Sequence, residues 1–113
     1  MQYAKATARL RAAYAYVKDE MESCWEKAVS EGHHSLETRS DLRLACTHLT
    51  RTCADVTRII FEMAGGSALF LDSDFQRRFR DGYAMTQHII TAPATYDLTG
   101  RILLGLPTKG HMV

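Results

Sequence analysis

The apolar residues between Tyr3 and Ala28 recur every three or four positions without a break. Tyr3, Ala6, Leu10, Ala13, Val17, Met21, Cys24 and Ala28 form the series. That spacing is the period of an α-helix and comes close to a coiled-coil seam. No Gly or Pro interrupts it before Gly32, which is placed to cap the helix C-terminus. The expected helix covers residues 3–31 and is roughly 43 Å long at the helical rise. A compact domain of this size has a radius of gyration of about 13 Å. So long a helix needs neighbours to lie against.

A second helix is expected over 35–64, with Leu42, Cys46, Leu49, Cys53, Val56, Ile60 and Met63 as its apolar stripe. The short turn Gly32-His33-His34 between two such stripes points to an antiparallel hairpin. Gly65-Gly66 breaks the pattern, and Ser67 to Leu71 fit a short helical turn. Ser73 and Gln76 have the spacing of a capping box opening a third helix, expected over 73–91. Its stripe is Phe75, Phe79, Tyr83, Thr86 and Ile90. Pro93 suits the first turn of a last helix, 93–104, and Gly105 and Pro107 stop it, leaving 105–113 as a tail. No segment alternates as a strand does. The expected class is all-α: one domain, residues 1–113, folded as an up-and-down bundle of four to five helices.

Composition narrows the function classes. The chain is 46% hydrophobic and 24% charged, which supports a packed core rather than disorder. Its 14 basic and 13 acidic residues nearly cancel, so no strong field draws it to nucleic acid or membrane. No apolar run approaches the ~20 residues of a membrane span, and no secretory leader is visible. Three cysteines without a CxxC pair argue against a disulfide scaffold or zinc ribbon. A reducing, cytoplasmic setting is the expectation.

Few residues carry a chemical signal of their own. Cys24, Cys46 and Cys53 lie on the apolar stripes and read as small core residues more readily than as nucleophiles. His33, His34 and His48 lack the partners a metal site requires, and His111 falls in the tail. Arg77, Arg78 and Arg80 could hold a phosphate, but Asp72, Asp74 and Asp81 interleave with them, as on a solvated face. Gly65-Gly66-Ser67 after a helix offers either backbone amides for an anion or a plain C-cap and turn. His88 lies off the main stripe of its helix, where an imidazole can exchange protons or simply be solvated.

Taken together, residues 63–106 resemble something specific. Met63-Ala64-Gly65-Gly66-Ser67-Ala68-Leu69-Phe70 resembles the helix-breaking turn in the C-terminal domain of flavin-dependent monooxygenases of the acyl-CoA dehydrogenase superfamily. Gln76-Arg77, Arg80-Asp81, Gln87-His88, Tyr96, Gly100-Arg101 and Leu103-Leu104-Gly105-Leu106 follow in that family's order and spacing. Asp74-Phe75 departs from the Pro-Leu often found there. The resemblance implies the C-terminal helical bundle of a two-component hydroxylase acting on an aromatic or related substrate. Its FMN or FAD would arrive reduced from a partner flavin reductase. Gly65, Gly66 and Ser67 would lie near the flavin phosphate end. His88 would match the active-site histidine, assisting oxygen activation or deprotonating a phenolic substrate, and Arg80-Asp81 would fix the helix before it.

The dehydrogenase branch of the superfamily needs a carboxylate base. The chain has no Glu after Glu62, and its first acidic residue, Asp19, lies well inside the first helix. That favours the monooxygenase branch over an acyl-CoA dehydrogenase C-terminal domain. A non-catalytic oligomerisation module is the other alternative, because two long seams suit a homodimer or tetramer. In either case the bundle by itself is not expected to be catalytically competent, lacking the rest of a flavin pocket.

Overall fold

The computed structural model describes residues 1–108. Four α-helices follow in order: α1 (Gln2–Glu31), α2 (Leu36–Ala64), α3 (Asp74–Met85) and α4 (Ala94–Leu103). Two short 3-10 turns, Gly65–Leu69 and Ile89–Thr91, precede α3 and α4. The fold is all-α, with no strand among the described residues.

The hairpin forms as its end signals dictate. Gly32 takes the left-handed conformation at φ 75° and returns its N–H to the Ala28 carbonyl. Ser35 then caps α2, its hydroxyl oxygen accepting from the Thr38 N–H at 3.2 Å. Glu37 in the first turn complements the helix dipole. Pairs at increasing distance from the turn fix the antiparallel register. Lys27 Nζ donates to Thr38 Oγ1 at 3.1 Å. The Tyr16 and His48 rings lie 6.4 Å apart, and Arg9 pairs with Asp55 at 3.0 Å.

Small residues let the helices approach. On α2 the buried positions form two columns of heptad spacing: Thr38, Ala45, Thr52 and Ser40, Thr47, Ala54. Positions two apart lie about 200° apart around a helix, so the columns occupy nearly opposite sides. Thr38 of the first column meets Cys24 and Lys27 of α1. Ala54 of the second faces Gly82 of α3, and Thr47 bonds the Ile90 carbonyl. Accordingly α2 packs against α1, α3, α4 and both 3-10 turns. Phe61 stacks on Phe79 at 4.8 Å, and Phe79 meets Tyr83 at 5.1 Å, closing the α2–α3 contact.

Several expectations are corrected. The stripe Leu42, Cys46, Leu49, Cys53, Val56 and Ile60 is only half-buried, and Met63 is exposed. It lies between the two columns rather than at either seam. On α1, Ala6, Ala13, Val17 and Cys24 are buried, but Tyr3 and Met21 are exposed. The capping box does not form: Ser73 makes no side-chain cap bond, and Gln76 Nε2 donates to the Leu69 carbonyl instead. Helix α3 stops at Met85 rather than Thr91. There the Thr86 hydroxyl donates to Tyr83 O at 2.6 Å and Thr91 Oγ1 to Met85 O at 3.2 Å. Such hydroxyls compete with backbone amides for the carbonyls that would continue the helix. After α4, Gly105 at φ 68° turns the chain, and Arg101 Nε donates to the Pro107 carbonyl at 2.9 Å, so the start of the expected tail is held. Residues 109–113 of that tail, His111 included, lie outside the described residues.

The molecule measures 52 × 27 × 23 Å, with a radius of gyration of 16.9 Å against about 13 Å for a compact domain. The elongation leaves large apolar side chains uncovered, Trp25 at 73% and Leu71 at 79% exposed among them.

Candidate functional site

His88 sits in the turn between α3 and α4, not on a helix. It is the N-cap of the 3-10 turn Ile89–Thr91, and its Nδ1 accepts from the Ile90 N–H at 3.2 Å. A neutral imidazole that accepts at Nδ1 carries its proton on Nε2. The exposed ring therefore offers an N–H donor. Around it, Thr91 Oγ1 bridges the Met85 and His88 carbonyls, and Gln87 Nε2 donates to Thr86 Oγ1. The Ile90 carbonyl receives two hydroxyls, Thr95 Oγ1 at 2.9 Å and Thr47 Oγ1 at 3.4 Å. None of these threonines stands out by sequence pattern, and only the close grouping of Thr86, Thr91 and Thr95 about His88 offers a signal.

Gly65, Gly66 and Ser67 are exposed at the other end of α2. Gly65 adopts φ 61°, which a side chain would strain, and a Cβ on Gly65 or Gly66 would meet nothing within 4 Å. The backbone there faces open space, as an approaching phosphate requires. Ser67 does not cap the turn; its hydroxyl donates back to the Ala64 carbonyl at 2.9 Å. The turn and His88 are not brought together. Ile90 touches Thr47, and Thr47 and Gly65 are about 27 Å apart along α2 at the helical rise.

The remaining candidates take the plainer roles. Arg77 pairs with Asp74 at 3.0 Å on the surface, and Arg78, Arg80 and Asp81 are exposed. Burial pushes the Cys24, Cys46 and Cys53 thiols up from their ordinary range, away from the thiolate a nucleophile needs. His33 Nδ1 bonds the Glu31 carbonyl, and His34 and His48 are exposed. Among the described residues no cluster of three His, Cys, Asp or Glu could hold a metal, and no helix is long and apolar enough to cross a membrane.

The family description "Acyl-CoA dehydrogenase, C-terminal domain" matches residues 1–93, which contain both the glycine turn and His88. The chain belongs to this family. Two curated relatives align along nearly its whole length. An indole-3-acetate monooxygenase of Acinetobacter baumannii is 34% identical over 112 residues, covering 98% of this chain and 29% of that protein. An indole-3-acetate monooxygenase of Pseudomonas putida is 30% identical over 110 residues, covering 96% and 28%. This acyl-CoA dehydrogenase-type domain is thus related to monooxygenases, and it spans less than a third of their length.

Proposed function

We propose that the chain is the C-terminal domain of a two-component flavin-dependent monooxygenase acting on an aromatic acid of the indole-acetate type. The observation that carries this reading is the 98% coverage of the chain by a relative named for that activity. The open backbone at Gly65-Gly66 leaves room for the phosphate end of FMN or FAD, and the Ser67 hydroxyl would donate to that phosphate by turning from the Ala64 carbonyl. The bound flavin, reduced by a separate reductase, supplies oxygen activation and transfer. His88 offers Nε2–H to negative charge that develops on the reacting oxygen or the substrate. With Nδ1 held by the Ile90 amide, the neutral ring is a donor on its exposed side. This favours hydrogen-bond donation over abstraction of a phenolic proton.

Because the turn and His88 are held far apart along the length of α2, one chain does not bring both to a single flavin ring and its first phosphate. The reading therefore includes a homodimer or tetramer, with the turn of one copy completing a site that uses His88 of another. The uncovered Trp25 and Leu71 are in keeping with such assembly, as they are with the narrower reading of the domain as an oligomerisation module. A dehydrogenase role has less support, since the chain contains no Glu after Glu62.

The test uses the complete enzyme. His88→Asn retains an N-cap acceptor and removes the imidazole donor. Turnover of indole-3-acetate with reduced FMN should fall about 100-fold. Unchanged turnover removes His88 from the chemistry. Light scattering that finds an active monomer overturns the shared site.

A further inference from the structure

Helical threonines ordinarily return their hydroxyls to the carbonyl three or four residues back. Thr7, Thr50, Thr57, Thr86 and Thr99 all do so. Thr47 and Thr95 do not. Thr47, 0% exposed, reaches from α2 to the Ile90 carbonyl, and Thr95, 2% exposed, reaches the same oxygen from the first turn of α4. Ile90 in turn gives its N–H to Nδ1 of His88. Two buried hydroxyls from separate helices thus converge on the residue whose amide holds the imidazole.

We propose that Thr47 and Thr95 are positioning residues for His88. They pin the Ile90 backbone so that its amide keeps Nδ1 unprotonated and Nε2–H presented. The role of this clamp in turnover rests on the proposed role of His88; the clamp itself does not. Thr95 makes the shorter bond and contributes the larger share, while Thr47 ties the turn to the central helix. Val in place of either residue keeps the shape and deletes the donor, and Ser restores it.

The clamp is read by NMR on the full chain labelled with 15N. Long-range proton–nitrogen correlation reports which ring nitrogen of His88 carries hydrogen, and amide exchange reports the Ile90 N–H. In Thr95→Val the Ile90 amide should exchange at least ten times faster, and His88 should show a mixture of tautomers. Thr47→Val should shift both in the same direction by less, and Thr95→Ser should recover the parent signals. A folded Thr95→Val chain with the parent tautomer and parent Ile90 exchange overturns the proposal. Should Thr95→Val unfold the chain, Thr47→Val decides by the same two signals. If His88→Asn leaves the complete enzyme active while the valine variants still release Ile90, the catalytic reading falls and the clamp stands.

Discussion

The two sides of α2 hold their neighbours by different physics. Toward α1 the contact is a long seam of small side chains, Ala6, Ala13, Val17 and Cys24 against the column of Thr38, Ala45 and Thr52. The directional bonds there are a lysine to a threonine hydroxyl, a weak thiol bond from Cys24 to the Thr38 carbonyl, and an exposed ion pair, Arg9 with Asp55. Toward α3 and α4 the contact combines close approach at Gly82, stacked Phe61 and Phe79, and the Thr47 hydroxyl donated to the Ile90 carbonyl, which Thr95 of α4 also bonds. Packing by shape alone sets how near two helices lie. The donated hydroxyls also fix how a turn is oriented, and the side that carries His88 is the one that has them.

The comparison breaks most sharply at Ala45, which is fully buried on the α1 side. Ala45→Leu adds volume to a seam with none to spare and should cost about 3 kcal/mol. Because α1 leans chiefly on α2, the loss should be local. Amides of α1 should exchange much faster, while Ile90 stays protected. Equal acceleration in all four helices would mean that the two sides fold as one unit.

Gly82 gives a smaller effect whose sign can be reversed. A Cβ there would come within 2.7 Å of Thr57 Oγ1 and 3.5 Å of Ala54 Cα. The Thr57 hydroxyl bonds Ala54 O at 2.8 Å, so it cannot swing aside without losing that partner. Gly82→Ala should therefore destabilise by about 1 kcal/mol despite the better helix propensity of Ala. In a Thr57→Ala background the clash is gone and the same change should stabilise, again by up to about 1 kcal/mol. Urea unfolding of the four chains reads the cycle, and an unchanged sign would remove close packing as the reason for glycine.

These positions also show how much of the molecule was legible beforehand. The hairpin was, because its signals are local: an unbroken period, Gly32 placed to cap, and Gly65-Gly66 breaking the second stripe, where the structure has both Gly32 and Gly65 at positive φ. The end of α3 was not. Apolar spacing runs on through Tyr83, Thr86 and Ile90, and no Pro or Gly interrupts it. What stops the helix is hydroxyl competition from Thr86 and Thr91, which any helical pattern tolerates. The α2 columns were hidden for a related reason. Ser40, Thr47 and Thr52 count as polar in a periodicity reading, yet all three are buried. The stripe of larger residues drew the eye to a face between the seams. For the candidate site, residue types marked Gly65, Gly66, Ser67 and His88, but no one-dimensional pattern reveals that the glycine turn and His88 are held far apart along the length of α2. The tautomer of His88 depends on a backbone amide and has no sequence signal at all.

The smallest effect sharpens the contrast from the α1 side. Glu20 has its pKa raised, first by burial, then by Asp41 of α2 and its neighbour Asp19, with Lys27 opposing. A carboxyl whose pKa is higher folded than unfolded binds its proton more tightly in the folded chain. Stability is then lost as pH rises from the ordinary carboxylate range through the raised value, and regained on acidification. Glu20→Gln should accordingly stabilise at pH 7 by about 0.3 kcal/mol, the scale of a partly exposed charge, and leave stability unchanged near pH 3. Part of that gain should disappear in high salt, which screens Asp41 and Asp19 but does not relieve burial. A gain equally large at pH 3 would assign the effect to packing of the amide. The seam toward α1 would then carry no electrostatic mismatch, and the contrast between the two sides of α2 would rest on packing and hydrogen bonding.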